Sequence, residues 1–178
     1  VPLGRAPAAP ARGIGVLGAG QLGRLLALAG LPLGLEFVFF TDRDDDCGAA
    51  LGDTIIAPYT DEPALLDVAS RCDAITFEFE NVPAGSVRFL AERVPVRPGP
   101  SLLEVAQDRI DEKRMLVDAG VATPAFAAVD SIESLHAAVD KVGLPAVIKT
   151  RRFGYDGKGQ RVLRSADEID SAWEELGS

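Results

Sequence analysis

The sequence predicts an α/β protein built on a parallel β-sheet with helices on both faces. Short apolar runs, which are typical of buried parallel strands, alternate with segments of helical periodicity up to about residue 100. The composition is 47% hydrophobic and 25% charged, which is that of an ordinary globular chain and excludes a disordered or collagen-like one.

The alternation of predicted strands and helices lies in the first half of the chain. The predicted strands are 14–17, 36–40, 54–57 and 74–79, and the predicted helices are 21–31, 61–69 and 84–93. Leucines at helical spacing indicate the first helix, and Asp61 is the expected N-cap of the second. Residues 1–13 are rich in Pro, Ala and Gly without apolar periodicity, so we expect a flexible tail there.

A cluster of three prolines, between 95 and 100, marks a predicted boundary near residue 100. The predicted helices beyond it are 101–119, 131–142 and 165–176, and the predicted strands are 126–129, 146–150 and 161–163. We therefore expect one domain at 14–100 and a second, incomplete unit at 101–178.

Charge and residue counts exclude several classes of function. Asp and Glu outnumber Lys and Arg by 27 to 18, which makes nucleic acid and anionic membranes poor partners. No apolar run approaches the roughly 20 residues that cross a bilayer. Cys47 and Cys72 are too isolated for a disulfide scaffold or a zinc site, and His136 is the only histidine. We expect reduced thiols, a cytoplasmic location and no metal site in this chain.

Gly18, Gly20 and Gly23 form a G-x-G-x-x-G turn between the first strand and the first helix. Such a turn lets backbone N–H groups approach an anion. Asp42 follows about 20 residues later, where a ribose-binding acid of a dinucleotide site would lie. A tight strand-to-helix turn without a ligand is the alternative.

A second glycine-rich segment, Lys149–Arg161, carries five basic residues and one acid in an acidic chain. Lysine neutralises phosphate charge and glycine exposes backbone N–H groups, so the segment favours a polyphosphate ligand. A mobile basic hairpin without a ligand is the alternative. A third segment, Phe77–Pro83, places Glu78 and Glu80 at a strand end, where either a ligand crevice or solvent is expected.

These segments together resemble the N5-carboxyaminoimidazole ribonucleotide synthetase family of the ATP-grasp superfamily. The resemblance covers about residues 14–176 and rests on Gly18–Arg24, Thr76–Pro83, Gln107–Arg109, Glu112–Lys113 and Lys149–Gln160. It implies a Rossmann-like pre-ATP-grasp domain with a parallel sheet, followed by a truncated first subdomain of an ATP-grasp domain.

The resemblance also implies site residues. The expected ATP-binding residues are Arg109, Lys149, Gly154, Tyr155, Asp156, Gly157, Lys158, Gly159 and Gln160. The expected contacts to aminoimidazole ribonucleotide are Gln21, Leu22 and Glu78, and the expected catalytic residues are Tyr155 and Asp156.

The implied reaction is ATP-dependent carboxylation of 5-aminoimidazole ribonucleotide with bicarbonate, through carboxyphosphate. Mg²⁺ is the implied cofactor, with its ligands expected in a C-terminal part that this chain lacks, and the full-length protein is expected to be a cytoplasmic homodimer. Three alternatives stay open: a Rossmann NAD-binding module, a related ATP-grasp ligase such as formate-dependent glycinamide ribonucleotide transformylase, and a non-catalytic regulatory fragment.

Overall fold

The structure is a computed structural model that describes residues 12–154 and 157–176. The chain divides into two compact units, with the division between Leu103 and Glu104. Among the described residues, none of the helices is long and apolar enough to span a bilayer.

The first unit contains a four-stranded parallel sheet with the strand order β3-β2-β1-β4. The strands are β1 (Arg12–Leu17), β2 (Leu35–Thr41), β3 (Asp53–Ile56) and β4 (Ala74–Phe77). The predicted parallel sheet is therefore confirmed.

The first strand starts earlier than the sequence indicated. Arg12 and Gly13, which the prediction placed in the tail, belong to β1. The Gly13 N–H donates to a carboxylate oxygen of Asp73 at 3.1 Å, and the Asp73 N–H donates to the Gly13 carbonyl at 2.8 Å. The ladder itself is extended by the pairing of Arg12 with Leu35 and of Gly13 with Glu36 in β2. The rest of the predicted tail lies outside the described residues.

Helices cover both faces of this sheet: α1 (Gln21–Gly30), α2 (Glu62–Arg71) and α3 (Ala84–Ala91). Successive residues of β2 enter different cores, because side chains alternate across a strand. Phe37 and Phe39 pack with Ala27 of α1, whereas Val38 and Phe40 belong to the cluster that holds α2 and α3. This burial on both faces explains why β2 is apolar from Phe37 to Phe40.

Asp61 is the N-cap of α2, as the sequence predicts, and its carboxylate accepts the Ala64 N–H at 3.0 Å. We expect Asp61→Ala to lower the free energy of unfolding by about 1 kcal/mol, since a helix-terminal N–H loses its acceptor. Urea denaturation of the variant measures this loss. Asp61→Asn is the matched control, because asparagine caps equally well; an equal loss in both variants would contradict the capping role.

The second half of the chain contains four helices and a two-stranded antiparallel sheet among its described residues. The elements are α4 (Pro100–Ala106), α5 (Arg109–Asp118), α6 (Ile132–Val142), β5 (Ala146–Lys149), β6 (Gln160–Leu163) and α7 (Ile169–Glu175). The core of the second unit joins α6, both strands and α7 through Leu135, Val139, Ile148, Leu163 and Ile169.

Two predictions for this half are wrong. The single helix expected at 101–119 is broken at Asp108, whose backbone is extended and whose carboxylate caps α5 by accepting the N–H groups of Ile110 and Asp111. Aspartate competes for backbone donors in this way and so starts a new helix. The strand expected at 126–129 is irregular. In the described chain β5 pairs with β6 alone, so this segment has no strand beside it to complete a ladder.

Candidate functional site

The glycine-rich turn of the first unit lies at the carboxyl end of β1, where α1 begins. The Gly18 N–H donates to the Phe40 carbonyl at 2.7 Å, and Gly18 has a positive φ of 104° that favours glycine. Glu78 comes directly after β4, and its N–H donates to the Leu17 carbonyl at 3.1 Å. Neighbouring parallel strands therefore bring the turn and Glu78 to the same sheet edge.

The Glu78 carboxylate binds the start of α1. One oxygen accepts the Gly20 N–H at 2.7 Å, and the other accepts the Gly23 N–H in a short hydrogen bond. Gln21 and Leu22 lie between these two donors, and both side chains are exposed. The structure thus places the three residues predicted to contact the ribonucleotide at one helix terminus.

Asp42 lies one residue beyond β2, at the same sheet edge as the turn, because β1 and β2 are paired up to Leu17 and Phe40. It lines a cavity of about 570 Å³ together with Tyr59, Phe79 and Asn81, and the glycine turn is not part of that lining. Burial, followed by the charge of Asp42, raises the pKa of Tyr59 above its usual range, so this phenol stays neutral.

In the second unit, β5 and β6 bring Lys149 and Gln160 opposite each other. Val147 and Val162 are also paired and share that face, since they are two residues away along each strand. These two valines are 50% and 42% exposed, whereas Ile148 on the other face is buried. The hairpin therefore presents an apolar strip that ends in a cation and an amide.

Lys149 also lines a cavity of about 550 Å³ with three other cations. The four are Arg109, Lys113, Lys149 and Arg151, and Glu112 is the one acid among the lining residues. The remaining wall is mostly apolar and includes Phe126, Val129 and Ile148. Cations beside an apolar wall suit a ligand that has an aromatic ring and phosphates.

Lys113 is a candidate that the sequence reasoning missed, although it lies within a matching stretch. It is four residues after Arg109 on α5, a spacing that places both cations on the same helix face. The four-residue spacing was present in the sequence, but only the cavity shows that this face of α5 lies beside Lys149.

Arg109 holds the backbone at the start of the glycine-rich segment. Its N–H donates to the Arg151 carbonyl at 3.1 Å, and its guanidinium donates to the Gly154 carbonyl at 2.8 Å. Phe153 between them is 80% exposed and has a positive φ of 59°, which is unusual for a residue with a side chain. The contacts of Arg109 on either side fix this unusual backbone conformation.

The two residues before Arg109 hold side chains of the same segment. The Asp108 carboxylate accepts two hydrogen bonds from the Arg151 guanidinium, at 3.1 and 2.5 Å, and the Gln107 amide oxygen accepts one from Arg152 at 3.0 Å. Burial favours the neutral acid, but the pKa of Asp108 is lowered overall because Arg151 and the α5 N–H groups bind the charged form. We call Gln107–Arg109 the loop clamp.

Glycines shape the end of the segment. Gly157 and Gly159 have φ values of 78° and 66°, and the Thr150 N–H donates to the Gly159 carbonyl at 2.8 Å. Lys158 between the two glycines is exposed. Tyr155 and Asp156, the predicted catalytic residues, lie outside the described residues, so their roles stay predictions.

The described residues do not bring potential metal ligands together. Across residues 12–154 and 157–176, His, Cys, Asp and Glu form no group of three or more that could hold a metal. Cys47 and Cys72 are free thiols, and burial raises the pKa of Cys72 to about 11, which keeps it protonated. The described residues do not provide a Mg²⁺ site of their own.

Comparison with known proteins gives two family matches. Residues 11–107 match the ribonucleotide synthetase preATP-grasp domain, and residues 114–178 match the ATP-grasp domain. The chain is 53% identical over 165 residues to the N5-carboxyaminoimidazole ribonucleotide synthase of Pseudomonas aeruginosa, covering 93% of this chain and 46% of that protein.

Solved structures of similar proteins share the fold. The synthetase from Thermus thermophilus is 45% identical with a TM-score of 0.84, covering 92% of this chain and 44% of that one. The Staphylococcus aureus synthetase in complex with ADP is 32% identical with a TM-score of 0.87, covering 94% and 45%. The chain therefore spans less than half the length of these relatives.

Proposed function

The chain belongs to the ribonucleotide synthetase preATP-grasp family, and from this premise we propose that it forms the N-terminal part of an ATP-dependent ligase. The proposed activity of the whole protein is carboxylation of 5-aminoimidazole ribonucleotide to its N5-carboxy derivative. The observation that carries this proposal is the cavity with four cations and an apolar wall beside Lys149. In this proposal residues 14–100 form the pre-ATP-grasp domain and residues 101–178 the first part of the ATP-grasp domain.

The described cations fit a nucleoside triphosphate as the substrate. Lys149 and Lys113 are point charges for the phosphate oxygens, and the exposed strip of Val147 and Val162 offers an apolar surface to a base. In the first unit, the Glu78 carboxylate is fixed by two backbone donors. Each carboxylate oxygen still has a free lone pair, so Glu78 can accept a hydrogen bond from the substrate amine.

The chemistry divides into two steps. Bicarbonate attacks the terminal phosphate of ATP, which gives carboxyphosphate and ADP. The 5-amino nitrogen then attacks the carboxyl carbon, the bond to the phosphate oxygen breaks, and the amine loses a proton. We assign acceptance of this proton to Asp156, with Tyr155 beside it, and charge neutralisation at the phosphates to Arg109, Lys149 and Lys158.

Mg²⁺ supplies charge neutralisation at the nucleotide phosphates when it is bound. The described residues hold no cluster that fits it, so we place its ligands in sequence that the relatives carry beyond the matched region. Cytoplasmic location and homodimerisation of the full-length protein are part of the same proposal.

The proposal is tested by ADP release from this chain joined to the C-terminal half of the Pseudomonas aeruginosa relative. Release should require both aminoimidazole ribonucleotide and bicarbonate, whereas the 178-residue chain alone should not turn over. Glycinamide ribonucleotide with formate tests the related ligase, and titration with NAD tests the dinucleotide-binding module. Activity with glycinamide ribonucleotide instead of aminoimidazole ribonucleotide would overturn the assigned substrate.

Asp108→Ala tests the loop clamp. We expect it to lower the free energy of unfolding by about 1–2 kcal/mol, because α5 loses its N-cap. We also expect ATP to bind about tenfold more weakly, which corresponds to a loss of about 1.4 kcal/mol of binding free energy when the loop is no longer positioned. Trypsin should cleave faster after Arg151. Calorimetric titration and timed proteolysis measure these effects.

Asp111→Ala is the matched control for this variant, because Asp111 is an exposed acid on the same helix that pairs only weakly with Arg114 at 3.4 Å. Unchanged ATP affinity and unchanged cleavage in Asp108→Ala would show that the clamp does not position the loop.

A further inference from the structure

We propose that Glu78 closes the glycine-rich turn to phosphates and dinucleotides, because its carboxylate is a built-in anion in the place where a phosphate would bind. A G-x-G-x-x-G turn binds phosphate through free N–H groups at the start of its helix. Here the N–H groups of Gly20 and Gly23 already donate to the two oxygens of Glu78. The inference does not depend on the proposed ligase activity.

The glycines of the motif make room for this carboxylate. At Gly20 the three atoms nearest to an added methyl group all belong to Glu78, with the nearest carboxylate oxygen at 2.9 Å. A methyl group at Gly23 would come equally close, 2.9 Å, to the other oxygen, and at Gly18 the nearest atoms are also those of Glu78. The motif that normally lets a pyrophosphate approach therefore accommodates an internal side chain.

The surrounding backbone keeps Glu78 in place. Its own N–H is bonded to the Leu17 carbonyl, so its backbone is fixed beside β1. On the other side of the turn, the Gly48 N–H donates to the Ala19 carbonyl at 2.7 Å. An incoming anion would have to displace a carboxylate whose two hydrogen bonds are already made, and it would meet like charge.

The loop that Gly48 connects to the turn adds to this repulsion. It carries Asp42, Asp44, Asp45 and Asp46 in sequence, and its one cation, Arg43, is paired with Asp45 at 3.0 Å. A dinucleotide site would need an acid for the ribose but no cluster of four, because its pyrophosphate is itself an anion. The negative charge of this loop and the position of the Glu78 carboxylate thus both act against a phosphate or dinucleotide at the turn.

The first experiment measures anion binding by thermal unfolding in inorganic phosphate against chloride at equal ionic strength, and by titration with NAD. Both measurements use a Lys149→Ala background, which removes a cation from the proposed nucleotide site of the second unit. In that background the chain with Glu78 intact should show no saturable shift with either ligand. Glu78→Ala should show a saturable rise of the midpoint with phosphate, since two backbone donors become free and a bound ligand stabilises the fold. Glu36→Ala removes an exposed negative charge of the same unit and should show no such rise.

The second experiment is a double-mutant cycle between Gly20 and Glu78. Gly20→Ala alone should lower the thermal midpoint by several degrees, because its methyl group forces the carboxylate off its two donors. In the Glu78→Ala background the same substitution should have little effect, since the three atoms nearest to that methyl group all belong to Glu78. Gly85→Ala is the control, because a methyl group there meets no atom within 4 Å.

Each outcome decides the proposal. Saturable phosphate or NAD binding by the Lys149→Ala chain with Glu78 intact would overturn it, and so would the absence of a phosphate-dependent rise when Glu78→Ala is added to that chain. If Gly20→Ala lowered the thermal midpoint equally in both backgrounds, the role assigned to that glycine would be overturned. Where Glu78→Ala does not fold, Glu78→Ser replaces it: its side chain is too short to reach both donors, and it should still gain phosphate dependence.

Discussion

Replacing Asp156 with asparagine is expected to suppress carboxylation of aminoimidazole ribonucleotide by about 100-fold or more, while ATP binding stays nearly unchanged. The amide keeps the shape of the side chain but cannot accept the proton that the attacking amine must lose. The expectation rests on the family resemblance of Gly154–Gln160, in which Asp156 is an expected catalytic residue. The measurement is ADP release by the chain joined to a relative's C-terminal half, beside calorimetric titration of ATP.

Asp140→Asn is the matched control, since Asp140 is an exposed aspartate of α6. It should leave both the rate and the affinity unchanged. A wild-type rate in Asp156→Asn would remove Asp156 from the proton-transfer step. A parallel loss of ATP affinity would instead assign it to nucleotide binding, and the proton acceptor would have to be sought elsewhere.

The parallel sheet was predictable because its strands carry local signals. Every residue from Phe37 to Thr41 in β2 is buried, and an uninterrupted apolar run is what burial on both faces of a sheet produces. The starts of the helices were partly predictable too, because an N-capping residue is also a local signal. Asp61 caps α2 as expected, whereas the cap at Asp108 was overlooked inside a longer helical pattern.

The strand expected at 126–129 shows the limit of such signals. A short apolar segment forms a strand only when another strand lies beside it, and the described residues provide none there. The segment instead contributes Phe126 and Val129 to the wall of the cavity beside Lys149. The apolar character of this segment was predicted correctly, but its backbone conformation was not.

The candidate sites depend on long-range contacts that spacing does not reveal. The glycine turn indicates an anion, yet nothing local shows that the anion is Glu78, which is 58 residues from Gly20. Arg109 reaches Gly154 across 45 residues. The residue types at both sites could therefore be predicted from the sequence, whereas the residues that they contact could be identified only from the folded structure.

Lys149→Ala is expected to weaken ATP binding by about 10- to 150-fold, which corresponds to the loss of a charged hydrogen bond of about 1.5–3 kcal/mol. Lys149 follows the buried Ile148 in β5 and lines the cavity with Arg109 and Lys113. Its removal leaves the apolar strip of Val147 and Val162 in place. Adenosine, which has no phosphate, should therefore bind the variant and the wild type equally well.

Calorimetric titration with ATP and with adenosine separates these effects, and Lys149→Arg tests whether charge alone is sufficient. Arginine should restore part of the ATP affinity, since it keeps the charge but not the compact ammonium group. Lys141→Ala removes an exposed lysine of α6 and should change neither affinity. If Lys149→Ala weakened adenosine as strongly as ATP, the lysine would act through the fold of the hairpin. If it weakened neither, the triphosphate would bind elsewhere, and the four-cation cavity would no longer support the proposed ligase.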